Sequence, residues 1–278
     1  MKALVLGGGG VTGIAWETGL LAGLADAGLD LTGADIVVGT SAGSVVGAQT
    51  TSGTPLETLF ARQLEAPYPA PLAAISGKTQ LAYGVALMRS HGDLTTFGRR
   101  MGALAIKAAE SGRLPSLDER FAAITARLPS LQWPERDLRI TVVDAHTGEF
   151  RVLTRDDGVP LLEAVAASCA VPAVYPPVPI GDRLYIDGGV RTGANADVAA
   201  GCDRLVALTP IARAIGPIPS TQAHVDSLGV PAVIIAPDDA ATAAIGKNAL
   251  DPAARGPAVR AGRAQAASVV EQVRAVWA

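Results

Sequence analysis

Histidine is scarce in this 278-residue chain, with three in all, at positions 91, 146 and 224. Any chemistry that needs an imidazole therefore has few places to find one. Cysteine is scarcer still. Cys169 and Cys202 have neither CxxC spacing nor the density of a disulfide framework, which excludes a stapled scaffold and points to reduced, buried thiols. Charged residues make up only 18% of the chain, for a net charge of −3. With no Lys/Arg run, no nucleic-acid partner is expected. No apolar run reaches the roughly 18 residues of a membrane span, and the short one at residues 3–6 meets glycine too early for a signal-peptide core. The expectation is a cytoplasmic protein whose mean hydropathy of +0.31 leaves room for transient contact with a membrane surface.

What the chain has in abundance is small and apolar: 49% hydrophobic residues and 31 glycines. That composition excludes disorder. A chain of this length buries about 75% of its unfolded surface, so it needs no metal to stabilise a core. No repeat or linker divides it, and one domain over residues 1–278 is expected.

Apolar residues 3–6 run into Gly7-Gly8-Gly9-Gly10, and Ile14, Leu20, Leu21 and Leu24 then fall on one helical face before Gly28, a strand, a glycine loop and a helix. A second such unit follows, with Asp35-Ile36-Val37-Val38 as strand, Gly39-Thr40-Ser41-Ala42-Gly43 as tight turn and residues 44–49 as helix. Two βα units argue for an α/β fold with a parallel or mixed sheet. Residues 55–130 read as a helical insertion broken by Pro67, Pro69, Pro71, Gly77 and Gly92. A hairpin is expected from 138–143 and 150–153, a helix from Pro160, an extended path through Pro172, Pro176, Pro177 and Pro179, and strands at 183–186, 204–208 and 232–236. A terminal helix carries Val259, Val269, Val273 and Trp277.

Three turns could carry chemistry. Gly39-Thr40-Ser41-Ala42-Gly43 has the GxSxG form of a nucleophile elbow, where small flanking residues let strand and helix approach closely and expose the serine at a helix N-terminus. Gly8-Gly9-Gly10-Val11-Thr12-Gly13 satisfies GxGxxG, a dinucleotide-binding pattern. The same glycines could equally converge backbone amides as an oxyanion hole. Asp187 ends an apolar strand just before Gly188 and Gly189, which would hold its carboxylate at the sheet edge that carries Ser41; in a dry pocket its pKa would rise towards the working range of a base. His91 and His146 lie among breakers or at a hairpin tip, as surface residues do, and His224 is the remaining imidazole available to a Ser-His-Asp arrangement.

These three motifs, in this order, resemble the patatin-like phospholipases. So does the stretch Ala167-Ser168-Cys169-Ala170-Val171-Pro172 with its proline-rich approach to Asp187. The resemblance covers roughly the first two hundred residues. It implies a three-layer α/β sandwich with a mainly parallel sheet, and a lipid acyl hydrolase with a Ser-Asp dyad. Ser41 would be nucleophile, Asp187 base, and the amides of Gly8, Gly9, Gly10 and Val11 the oxyanion hole. Gly13, Gly39, Gly43, Gly188 and Gly189 would support the turns, and no metal or organic cofactor would be needed. Where the family's glycine loop usually carries Arg or Lys, this chain has Thr12, which weakens any phosphate role at that position. Arg191 and Asn195 are candidates to orient the aspartate or line the pocket, and Arg99-Arg100 to meet anionic headgroups. Two other readings stand beside this one: a Ser-His-Asp esterase using His224, and a nucleotide-binding module using GxGxxG with Asp30 or Asp35.

Overall fold

The computed structural model describes residues 1–66, 73–211 and 218–278; Pro67, Pro69 and Pro71 lie outside that set. The chain opens with β1 (Lys2–Leu6), α1 (Gly10–Asp26), β2 (Ile36–Gly39) and α2 (Ala42–Thr50), the two βα units expected from the pattern. Four helices follow, α3 (Leu56–Leu64), α4 (Gly77–Met88), α5 (Leu94–Glu110) and α6 (Leu117–Thr125). The starts of the last three are written in the sequence. Ser76 and Asp93 accept the amides of Thr79 and Thr96, and Ser116 with Glu119 closes a reciprocal capping box, which satisfies amides that a helix start leaves unpaired.

The chain then forms β3 (Asp137–Asp144), β4 (Phe150–Leu153), α7 (Leu161–Ser168), β5 (Val178–Ile180), β6 (Arg183–Asp187) and β7 (Arg204–Leu208). It finishes with α8 (Thr221–Leu228), β8 (Ala232–Ile235), α9 (Asp239–Ile245) and α10 (Arg255–Trp277). One sheet takes all eight strands in the order β5-β6-β3-β2-β1-β7-β8, with β4 pairing β3 off this path. The neighbours β3-β2-β1-β7-β8 are parallel. β4, β5 and β6 join antiparallel, so the sheet is mixed about a parallel centre.

The central strand shows why the layers form. In β1, Ala3, Leu4, Val5 and Leu6 are all 0% exposed, the continuous apolar run of a strand covered on both sides. Leu4, Leu6 and Val37 pack with Trp16, Leu20, Val45 and Val273 on one face. Ala3, Val5, Ile36 and Val38 pack with Ala194, Ala199 and Val225 on the other. On the first face α1 lies directly against α10, because a Cβ on Gly19 would stand 2.0 Å from the Val259 carbonyl oxygen. α4 and α5 form a separate cluster in which Phe97, Met101 and Ala105 pack against Val143 and Ile186.

Three elements escape the sequence pattern. β5 is a three-residue strand at the sheet edge, built around Pro179, where a missing amide is tolerated. α8 and α9 are only 8 and 7 residues long, too short to show a helical period; the caps Ser220 and Asp238 announce them.

Candidate active site

Ser41 sits between β2 and α2 with φ 52° and ψ −113°, a conformation that costs a non-glycine residue roughly 1–3 kcal/mol and persists only where its surroundings enforce it. Several contacts enforce it here. Its amide donates to Ser168 Oγ at 2.9 Å, and its carbonyl accepts from Ser44 Oγ at 2.7 Å and from Cys169 Sγ at 3.3 Å. The flanking glycine at 43 is required sterically, since a Cβ there would meet the Leu6 carbonyl oxygen at 2.0 Å. Gly39 ends β2, and Gly13 lets α1 pass close to Ala42 and Pro210.

Register, more than strand direction, brings Asp187 to this serine. β6 runs antiparallel to β3, so its end is not one of the carboxyl ends of the parallel strands. Gly39 pairs with Ile140, however, and Val142 pairs with Asp187. Two residues beyond Gly39, Ser41 is therefore level with Asp187. The residues between complete the link: Thr40 Oγ1 and Thr141 Oγ1 share a hydrogen bond of 2.8 Å. Gly188 rests on that pair, where a Cβ would lie 2.3 Å from Thr141 Oγ1.

Asp187 is 5% exposed. Burial pushes its carboxyl up to about 6, against the opposing pull of the Ser41 side chain and the Gly189 amide. The Gly189 amide donates to Oδ1 at 2.7 Å. The contact with the Ser41 side chain is looser than this one.

Behind the pair lies a brace that the sequence marks only loosely. Asn195, held in a left-handed conformation at φ 50°, donates from Nδ2 to Thr40 Oγ1 (3.1 Å), Gly188 O (3.2 Å) and Thr192 O (3.1 Å). Its Oδ1 accepts from Arg191 and Thr192. One side chain thus ties the turn before Ser41 to the turn after Asp187. Arg191 supports it from behind through Asp197, at 2.7 and 2.9 Å, and does not line the cavity. Ser168 and Thr141 escape the motif reading; the stretch leading from Ser168 to Asp187 is the available signal for the first.

The glycine loop faces the same site. Gly8's amide is already committed to the Gly193 carbonyl at 2.7 Å, which removes it from the expected donor set. The amides of Gly9, Gly10 and Val11 open α1 and, among the described residues, donate to no acceptor. The Thr12 amide and hydroxyl both donate to the Ala249 carbonyl, at 3.1 and 3.2 Å. Thr12 thereby pins the 249–250 segment over the loop. This narrows the space beyond the loop that a dinucleotide would need, while Gly8, Gly9 and Gly10 still line the cavity beside Ser41. Asp30 and Asp35 are no help to that reading, since they precede β2 at the opposite end of the parallel strands, bonded to Thr32 and to the Lys2 amide.

A cavity of about 460 Å³ opens over the pair, lined by Gly8, Gly9, Gly10, Ser41 and Asp187 and walled by apolar residues of α4 and α5, among them Tyr83, Leu87, Phe97 and Met101. The helical insertion therefore supplies one side of the site. The Tyr83 hydroxyl donates to the Pro172 carbonyl, and burial together with the nearby Asp187 raises its pKa. Cys169 is a buried support, its thiol pushed up to about 11 by burial and by Asp187. His91 and His146 are exposed and do not line the cavity. His224 is buried, but its Nδ1 lies 2.9 Å from Asp197 Oδ1, and it does not reach the cavity. Burial alone would raise the Asp197 carboxyl, yet the adjacent His224 ring and the hydrogen bonds from Arg191 hold it well below the usual range. Among the described residues, no His/Cys/Asp/Glu cluster is arranged to hold a metal, and no helix is long and apolar enough to cross a membrane.

A serine on a strand-to-helix elbow beside a buried acid, beneath an apolar cavity, is an arrangement suited to acyl transfer from an apolar ester. The family described as patatin-like phospholipase matches residues 4–200, and the chain belongs to that family. Among solved structures, VipD from Legionella pneumophila is 15% identical, with a TM-score of 0.52 over 98% of this chain and 67% of that one, a likeness of fold. The type III effector protein ExoU is also 15% identical, with a TM-score of 0.42 over 97% of this chain and 53% of that one. No curated protein matches the sequence.

Proposed function

We propose that the chain hydrolyses carboxylic esters of lipids through a Ser41–Asp187 dyad. The observation that carries this reading is the strained Ser41 and the raised-pKa Asp187 lining one apolar cavity. Asp187 takes the hydroxyl proton as Ser41 Oγ attacks the acyl carbonyl carbon. The oxygen of the tetrahedral intermediate accepts from the amides of Gly9, Gly10 and Val11. Collapse breaks the ester bond, and the departing alcohol takes the proton back from Asp187. Water then attacks the acyl-serine, giving its proton to Asp187, and the fatty acid leaves as Ser41 recovers its hydrogen. No imidazole enters these steps.

The outer face of α4 supports substrate entry from a lipid surface. Leu81 and Met88 are each 70% exposed. Lys78, Arg89, Arg100 and Lys107 border the shallow groove that α4 and α5 form there, with no acidic residue on its lining. Apolar side chains framed by cations suit an anionic bilayer interface, and the opposite face of the same helix walls the cavity.

Hydrolysis of short-chain p-nitrophenyl esters tests the mechanism. Asp187 is a base only when ionised, so kcat/KM should rise with pH through about 6 and then level off. Ser41→Ala should lower it by about a thousandfold or more. Undiminished hydrolysis by Ser41→Ala would sink the reading.

A further inference from the structure

A second cavity, of about 450 Å³, lies beyond the glycine loop from the first, and Leu250 lines both. Its chemistry is different. Arg62, Arg120, Arg127 and Arg255 line it together with Gln49. Arg120 is 6% exposed, with its guanidinium stacked 3.5 Å from the centre of the Tyr175 ring. Among the described residues none of the four arginines lies within ion-pair distance of a carboxylate. Residues 67–72 and 212–217 contain no Asp or Glu that could supply one.

The arginines also act on one another. Burial disfavours the charge on both Arg120 and Arg255, and the nearby Arg127 adds to it, against a partial offset from Tyr175 and Cys169 at Arg120 and from Glu65 at Arg255. Arg255 is tethered, donating to Gln63 Oε1 at 3.2 Å and to the Arg62 carbonyl at 2.7 Å. Gln49, 3% exposed, donates to the Arg127 carbonyl at 2.8 Å, while its buried Oε1 has no donor. Two acids line the cavity, Glu65 and Glu119. The Glu119 carboxylate is engaged in capping, accepting from the Ser116 amide at 2.7 Å. Buried charge without a partner is costly. Of the four arginines Arg120 is buried and the other three are half-buried, so the cluster as it stands has positive charge that an anion would offset.

We infer that this cavity binds a phosphoryl group carrying two negative charges. Four arginines against two glutamates leave two positive charges to match. A phosphate monoester matches both, whereas a carboxylate matches one. Planar guanidinium forks suit its oxygens, and the unpartnered Gln49 Oε1 can accept from a hydroxyl where the group that bears the phosphate has one. The bearer is either a soluble metabolite or a lipid headgroup such as that of phosphatidic acid.

Calorimetric titration of the 278-residue chain with sn-glycerol 3-phosphate, and with glycerol as control, tests the site directly. Saturable binding of the phosphate ester alone is expected, weakened about tenfold or more in Arg127→Gln and in Arg120→Met. Arg127 is half-buried and its substitution leaves the Arg120–Tyr175 stack in place, so the test survives if Arg120→Met fails to fold. Co-sedimentation with phosphatidylcholine vesicles, with and without phosphatidic acid, identifies the source. Retention on phosphatidic acid that glycerol 3-phosphate competes away assigns a headgroup. Binding of the soluble ester without vesicle preference assigns a metabolite. Absence of binding to both, or binding that neither substitution weakens, would overturn the inference. No turnover is required, so either result leaves the dyad to be judged separately.

Discussion

Replacing Asp187 with Asn should abolish hydrolysis and at the same time make the protein more stable at alkaline pH. The carboxyl ionises near 6 in the folded protein instead of at its ordinary 3.8, chiefly because it is buried. The folded state therefore binds more protons than the unfolded chain between those two values, and stability falls as pH rises through that window. Above it, the buried carboxylate costs the fold about 3 kcal/mol. Asparagine keeps the shape and can still accept from the Gly189 amide, but carries no charge. At pH 8 the variant should gain up to about 3 kcal/mol, or roughly 5 °C in Tm for a chain of this size. At pH 4 the gain should be almost gone. Differential scanning calorimetry of both proteins at the two pH values isolates this group, since the other titrating residues are common to both. A variant less stable at pH 8, or a difference that does not change with pH, would refute the reasoning.

Two further substitutions probe the surroundings. Asn195→Ala removes a buried group that bonds Thr40, Gly188 and Thr192; urea unfolding should show a loss of about 2–3 kcal/mol, with a fall in kcat larger than any change in KM. His224→Ala leaves Asp197 paired with Arg191 and should hydrolyse p-nitrophenyl esters as the parent does, whereas a collapse of activity without unfolding would favour the Ser-His-Asp arrangement.

The parts of the fold legible in the sequence are those where local signals agree with tertiary demand. β1 and β2 are apolar runs stopped by glycine, and the turns at Ser41 and Asp187 combine small residues with one functional group. Their order along the chain carries the family resemblance. What the sequence hides depends on long-range register. The pairing of Val142 with Asp187 joins antiparallel strands far apart along the chain, and no local pattern shows that it aligns the acid with the serine. The loss of Gly8 as an oxyanion donor likewise follows from the approach of Gly193, which is distant in sequence. Thr12 reads locally as a lost basic residue, and its role in fastening Ala249 emerges only when the far end of the chain folds back. The arginine-lined cavity gathers side chains from α3, α6 and α10 with no shared motif.

The most direct measurement of the central claim is mass spectrometry of the protein after treatment with a fluorophosphonate probe. An activated serine in an open cavity should be labelled at Ser41, with labelling lost in Ser41→Ala and strongly slowed in Asp187→Asn. An unlabelled Ser41, or labelling at Ser41 as fast without Asp187 as with it, would contradict the dyad.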